Sequence, residues 1–328
     1  MEQITSFLSL LGEEVEDADE EAFYLFAQDI PSSNLGFVDS RATTVDLTIN
    51  NQDYTIHQSP TLLSSTRAGG TTGAVLWKIT PLFSEWLSSP TNPLWTQSLL
   101  SSASTVVELG CGISGLNALT LAPKVHHYIA TDQEYVHRLF RQNIETNHQP
   151  STATRSSKSR KTQQPQQQPK RSKHKQQQQQ STSSPNITFT SLDWELDIAG
   201  SLKASVGLED PDIDDDNEEE KEVDRGFDLL VSCDCIYNDA LVAPFVRTCA
   251  DISRLRPIYT TDSHGAGRRG SRTPTICLIA QQQRSPEVFE AWLQETLRVF
   301  RVWRVSDDVL GGSLRSGTGY LVHLLLLR

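Results

Sequence analysis

Val106-Val107-Glu108-Leu109-Gly110-Cys111-Gly112-Ile113-Ser114-Gly115 is a short apolar run that ends in an acid and turns through three glycines into Leu116-Asn117-Ala118-Leu119. It reads as strand, tight turn, helix. Glycines in G-x-G-x-x-G spacing let the backbone bend sharply, let a ligand lie against bare amides and let the following helix close on the strand. The turn is therefore the predicted cofactor seat. Glu108 narrows the choice of cofactor, because a dinucleotide would lay its pyrophosphate on the same helix start and meet a like charge. A ligand with a cationic end is attracted there instead. The ammonium and sulfonium of S-adenosyl-L-methionine fit that description, and its carboxylate can use the free amides of the helix start.

Working outward, His127-Tyr128-Ile129-Ala130-Thr131-Asp132 reads as a second strand ending in an acid, seventeen residues beyond Gly115. An acid at about this distance accepts hydrogen bonds from ribose hydroxyls in nucleotide-binding α/β units. The alternative for Asp132 is an N-cap for the helix predicted from about Gln133 to Asn147. A third strand, Asn186 to Leu192, is closed by Asp193-Trp194. That pair suits the exocyclic amine and face of an adenine, or else a turn cap and simple packing. Phe227-Asp228-Leu229-Leu230-Val231-Ser232-Cys233-Asp234 is near-continuously apolar, as expected of a parallel strand buried on both faces. It places Asp234 and Tyr237 at the mouth of the site. A helix from Ala240 to Ser253, a strand from Thr275 to Ala280 and a helix from Pro286 through Phe300 follow. Trp303 and Val305, then Tyr320 to Leu327, read as a closing antiparallel pair.

Strands alternating with helices from Val106 onward predict an α/β fold with a doubly wound, seven-stranded, mostly parallel sheet. Ligands in such sheets bind over the C-terminal strand edges. Alternation around Asn50-Asn51-Gln52, within Thr43 to His57, adds a β-hairpin ahead of that domain. Trp77 stands at the entry of a helical stretch after Gly69-Gly70-Thr71-Thr72-Gly73, where its ring covers a ligand or packs in the core.

The 328 residues are only 37% hydrophobic, with a mean hydropathy of −0.39, so part of the chain is not expected to pack. Residues 13–29 carry eight acids and no base, 151–185 eight bases and no acid, and 209–224 eleven acids and one lysine. Together they sum to −10 of the formal net charge of −12, leaving the remainder nearly neutral. The domain is expected to span 36–328, interrupted by disordered insertions at 149–185 (basic, Gln-rich) and 209–224 (acidic). An acidic segment, 1–35, precedes it as a docked helix or a loose tail. The basic arm at 151–185 is a weak RNA contact or a tolerated loop expansion. Five scattered cysteines and no signal peptide suggest reduced, buried thiols in a cytosolic or nuclear protein. The expectation is a cytoplasmic protein, and a monomer. Cys233 and Cys235 lack a second ligand pair at zinc spacing, so no metal is expected. No run approaches the ~20 apolar residues of a membrane span.

Glu108-Leu109-Gly110-Cys111-Gly112, Asp132, Asp193-Trp194 and the D-x-x-Y box Asp234-Cys235-Ile236-Tyr237 together resemble the seven-strand, class I protein-lysine methyltransferases. Thr71 to Lys78 and the Tyr237-Asn238-Asp239 continuation look most like the fungal ribosomal lysine N-methyltransferase 5 family. The resemblance covers about 36–148, 186–200 and 225–328. It implies S-adenosyl-L-methionine as methyl donor and a lysine of a large-ribosomal-subunit protein as acceptor. Carried over residue by residue, the cofactor contacts are Trp77, Gly110, Cys111, Gly112, Asp132, Trp194 and Cys233. Methyl transfer to a neutral amine suits the D-x-x-Y box, with Asp234 guiding the incoming ammonium and Tyr237 forming a wall or accepting a hydrogen bond, or else only packing its ring on the sheet edge. Three rival readings stand beside it. One is an NAD-dependent Rossmann dehydrogenase, which Glu108 opposes. Another is a non-catalytic methyltransferase-like module that binds ribosomes or RNA. The third is methylation of a small molecule or nucleic acid, but the asparagine-proline box of nucleic-acid amine methyltransferases is absent after the fourth strand, where Asp234-Cys235-Ile236-Tyr237 stands instead.

Overall fold

The computed structural model of the chain describes residues 2–29, 36–65, 70–148, 186–208, 226–256, 259–260, 270–271 and 273–328. Both predicted insertions, 149–185 and 209–224, and most of the loop at 261–273 lie outside the described residues. In chain order the elements are α1 (Glu2–Leu11), β1 (Glu14–Val15), α2 (Ala18–Phe26), β2 (Thr44–Ile49), β3 (Gln52–His57), α3 (Pro60–Leu63), α4 (Ile79–Ser88) and α5 (Pro93–Thr96). There follow β4 (Thr105–Leu109), α6 (Leu116–Leu121), β5 (His127–Asp132), α7 (Glu134–Asn147), β6 (Ile187–Ser191), α8 (Leu202–Ser205), β7 (Leu229–Cys233) and α9 (Val242–Arg254). The chain closes with β8 (Tyr259–Thr260), β9 (Gly270–Ser271), β10 (Ile276–Gln282), α10 (Pro286–Leu297), β11 (Phe300–Arg304), α11 (Asp307–Leu310) and β12 (Tyr320–Leu327).

All five residues of β4 and of β7 are buried, which is why these strands read as continuous apolar runs rather than alternating ones. They lie side by side at the centre of the sheet, whose order is β1-β11-β12-β10-β7-β4-β5-β6. Strands β6, β5, β4, β7 and β10 are mutually parallel, and β12 runs antiparallel to both β10 and β11. From β4 the chain winds outward through β5 and β6, then returns to place β7 on the other side of β4. That reversal opens a crevice above the C-terminal ends of β4 and β7, where ligands of doubly wound sheets bind.

The sheet has eight strands rather than the expected seven. The extra one is β1, drawn from the acidic segment and paired antiparallel to β11 through Glu14 and Trp303 and through Val15 and Val302. Two residues are too few for a periodic signal, so β1 is invisible to pattern reading. The preceding and following helices dock as well. In α2 the side chain of Asp17 caps the amides of Asp19 and Glu20, and Ala18, Ala22 and Leu25 turn inward against α10. Gln283 Nε2 donates to the Leu25 carbonyl at 3.0 Å. Helix α10 ends at Leu297, earlier than expected, because Phe300 leaves it to begin β11 with its ring fully buried. Helix α9 starts at Val242 after a single turn, Asp239–Leu241, capped by Asn238.

The predicted hairpin forms with Asn50 and Asn51 at φ +50° and +64°, the left-handed positions that a two-residue turn requires. Its second strand is held by α7: Thr55 N–H donates to Asn147 Oδ1 at 2.8 Å and His57 N–H to Asn143 Oδ1 at 2.7 Å. Asn143 Nδ2 then reaches the Ile113 carbonyl at 2.7 Å, tying hairpin, helix and glycine turn together.

Leu25 is 2% exposed, so Leu25→Ala should cost about 2–5 kcal/mol. Urea unfolding measures this directly, and a stability equal to the parent's would mean that the acidic segment is not packed in solution.

Candidate active site

The glycine turn is shaped by backbone that side chains resist. Gly110, Gly112 and Gly115 sit at φ +71°, +58° and +61°. A Cβ on Gly110 would collide with the Cys235 sulfur and lie 3.5 Å from the Trp194 ring. Gly110 and Cys111 both donate their amides to the Thr131 carbonyl, at 2.9 and 3.0 Å, and Ile113 donates to the Gly73 carbonyl at 3.0 Å. The loop at Gly73 thus closes over the turn and brings Trp77 to the same crevice.

Two carboxylates are built into this floor. Glu108, at 2% exposure, does not stand free beside the helix start: Oε1 accepts from Asn117 Nδ2 at 2.7 Å and Oε2 from the Tyr128 hydroxyl at 2.8 Å. Burial pushes its pKa up to about 7, against the lowering effect of those two donors. Asp132 accepts the Gly112 amide on Oδ2 at 2.8 Å and the Gln133 amide on Oδ1 at 2.7 Å, clamping the glycine turn to the entry of α7. Burial raises it to about 6.

The remaining predicted residues converge on the cavity. Trp77 donates Nε1 to the Thr72 carbonyl at 3.0 Å, with Phe37 at 4.3 Å and the Arg284 guanidinium at 4.6 Å from its ring centroid, so it both packs and lines the crevice. Trp194 sets its edge on Phe245, and its Nε1 is buried without a partner. Asp193 caps its own turn, accepting the Glu195 amide at 2.9 Å, yet also lines the cavity. Cys111, Cys233 and Cys235 are held protonated by burial. Among the described residues no group of three or more His, Cys, Asp or Glu stands at metal-binding geometry. Asp234 is 7% exposed at the end of β7, and Tyr237 is 40% exposed at the mouth, its hydroxyl accepting from Thr72 Oγ1 at 3.3 Å.

Glu108, Asp132, Asp193, Glu195 and Asp234 all line this cavity, and among the described residues no lysine or arginine does. A bound diphosphate would meet five carboxylates and, among the described residues, no cationic side chain of the lining. A cationic ligand is the one the walls accept.

Comparison with known proteins agrees. A family described as lysine methyltransferase matches residues 56–159. The chain is 30% identical over 257 residues to ribosomal lysine N-methyltransferase 5 of Zygosaccharomyces rouxii, covering 75% of this chain and 70% of that one. The chain belongs to the lysine methyltransferase family. A second similarity, 34% identity over 134 residues, is to a Schizosaccharomyces pombe protein named diaminohydroxyphosphoribosylamino-pyrimidine deaminase; it covers 40% of this chain and only 32% of that protein's length. Among solved structures, a putative S-adenosylmethionine-dependent methyltransferase from Streptococcus mutans superposes with a TM-score of 0.43 at 8% identity, over 87% of this chain and 56% of that one. As a member of its family the chain is an S-adenosylmethionine-dependent protein-lysine methyltransferase.

The turn amides expected to be free for a ligand's carboxylate are instead spent inside the protein, Gly110 and Cys111 on the Thr131 carbonyl, Gly112 on Asp132 and Ile113 on Gly73, whereas Trp194 Nε1 is left without a partner in the acid-lined cavity. Pattern reading missed Asn117 and Tyr128, which hold Glu108, and Thr72, which reaches Tyr237. It also missed Arg284, which holds Asp234. None of the four carries a pattern signal, since Asn117 lies in α6, Tyr128 inside β5, Thr72 in a turn and Arg284 between β10 and α10. Among the described residues no helix is long and apolar enough to cross a membrane.

A cationic ligand requires Glu108 and Asp132 ionised. Affinity for S-adenosylhomocysteine, which keeps the ammonium, should therefore rise as pH increases through 6 to 7, with protons released on binding. Because both folded-state pKa values are raised, the free protein should lose stability over the same window and the ligand should restore it. Glu108→Gln should flatten the part of the affinity rise near pH 7. Calorimetric titration at several pH values tests this, and a pH-independent affinity would place the ligand's charge away from both acids.

Proposed function

We propose that this chain transfers methyl groups from S-adenosyl-L-methionine to the side-chain amine of a lysine on a large-ribosomal-subunit protein. The observation that carries the cofactor half of this reading is the cavity walled by five carboxylates and, among the described residues, no lysine or arginine. The acceptor half is supported by the ribosomal lysine N-methyltransferase 5 relatives, which cover most of this chain. Bound in the crevice, S-adenosyl-L-methionine supplies an activated methyl on a sulfonium.

The chain's own residues then hold and orient. Trp194 takes the adenine, Asp132 the ribose hydroxyls and Glu108 the ammonium, while the side-chain-free Gly110 and Gly112 let the ligand lie close against the turn. Trp77 and Cys233 wall the end where the methyl lies. Methyl transfer to an amine is an in-line displacement, so alignment and exclusion of water matter more than a protein nucleophile. The amine must be neutral, and a free lysine loses its proton at pH 7 at a cost of about 4.6 kcal/mol. A narrow, partly dry mouth between Asp234 and Tyr237 offsets part of that cost.

Incubation of the purified protein with labelled donor and with ribosomes from Saccharomyces cerevisiae lacking its own ribosomal lysine N-methyltransferase 5 should place label on a lysine of a large-subunit protein, located by mass spectrometry. Label on RNA, or on no lysine, would overturn the assignment. Asp234→Ala should abolish methylation while S-adenosylhomocysteine affinity stays within a few-fold. An equal loss of affinity would move Asp234 to the cofactor site.

A further inference from the structure

We propose that Arg284 sets the protonation state of the acceptor lysine by neutralising Asp234, so that the amine arrives at a position carrying no free negative charge. This rests on the lysine methyltransferase reading. Asp234 sits at φ +62°, a left-handed conformation that a non-glycine residue adopts only when its surroundings hold it there. Its amide donates to the Ala280 carbonyl at 2.7 Å, fixing it to β10. Of its carboxylate oxygens, Oδ1 accepts the Gln282 amide at 3.2 Å and Oδ2 accepts Arg284 Nη2 at 2.5 Å.

Arg284 Nη2 also donates to Gln282 Oε1 at 2.8 Å, and the guanidinium lies 4.6 Å from the Trp77 centroid. Nη1 is buried with no acceptor. Arg284 is thus oriented by Asp234, Gln282 and the Trp77 ring. It does not line the cavity but holds the carboxylate that does, and it is the more exposed of the two. It is a positioning residue that acts through Asp234.

The other titratable groups facing the pair come from several elements. Tyr237 follows β7, Tyr320 opens β12, and Cys233 and Cys235 flank Asp234; burial raises all four, so they are uncharged near neutral pH. Glu108 on β4 and Asp132 on β5 lie on the cofactor's side of the crevice, where the ligand's ammonium answers them. Asp193 and Glu195, after β6, line the wall beside Trp194, so the charged pair next to Tyr237 at the mouth is Asp234 and Arg284, and they cancel. A lone carboxylate within about 4–6 Å would favour the ammonium form by roughly 1–3 pKa units. That is the wrong direction for a group that must attack as a free amine.

The test is the pH dependence of kcat/KM for the parent, Arg284→Met and Arg284→Lys, with labelled donor and the same ribosomes as acceptor. Arg284→Met should move the acid limb of the profile upward by about one pH unit or more. Its rate should be roughly tenfold lower at pH 7 and should converge on the parent's at high pH. Arg284→Lys should keep the limb where it is. S-adenosylhomocysteine affinity and Tm, measured on each variant, report on folding. Loss by the same factor at every pH, an unmoved limb in Arg284→Met, or a collapse of S-adenosylhomocysteine affinity would each overturn the proposal. A parent enzyme that labels no lysine would instead sink the reading beneath it, whereas a labelling parent with superimposed profiles sinks this inference alone.

Discussion

The structure depends on a carboxylate placed where carboxylates are costly. Glu108 ends the central strand, is almost wholly buried, and is tolerated because Asn117 and Tyr128 each give it a hydrogen bond. Even so, burial raises its pKa to about 7. Asp132 is raised as well, so this floor holds two buried carboxylates whose ionised forms a cationic ligand stabilises. Cofactor recognition is in this sense written into the free protein as a deficit. Strand geometry puts the two acids side by side, since Glu108 pairs with Ala130 and Leu109 with Thr131, just before Asp132.

Around that floor, rigidity is supplied by hydrogen bonds that cross between elements rather than by the glycine turn itself. Asn143 on α7 serves the hairpin through His57 and the turn through Ile113, and the Gly73 carbonyl receives the Ile113 amide from the opposite side. The hairpin, which is outside the main sheet, is consequently part of what fixes the cofactor crevice. On the far edge, the acidic first residues lengthen the sheet and bury the outer face of α10. Arg301 meets Glu14 there and Arg304 meets Glu21, so a segment that looks merely solvated by its charge is anchored by complementary bases supplied nearly three hundred residues later.

Local pattern was a good guide wherever one element decides its own state. The apolar runs of β4, β7 and β10, the inward stripe of α10 and the Asn-Asn hairpin turn are all legible because strand burial, helical period and left-handed φ impose residue types directly. The pattern failed where a partner decides. Phe300 continues the helical spacing of α10, but the adjacent β12 claims it for a strand. Glu14 and Val15 have no pattern at all and are a strand only because β11 offers them an edge. At the site, Asp132 and Asp234 were readable as acids at strand ends, whereas their hydrogen-bond partners were not.

What the sequence by itself determined was the doubly wound order of elements, the glycine turn and the convergence of acids at the strand ends, since each follows from spacing along one chain segment. Tertiary structure alone decided that Glu108 is held by Asn117 and Tyr128, that Asp234 is answered by Arg284, and that no basic side chain among the described residues lines the cavity. The reason is electrostatic. A charge's effect depends on distance and burial, and both are set by which distant segments the sheet brings together.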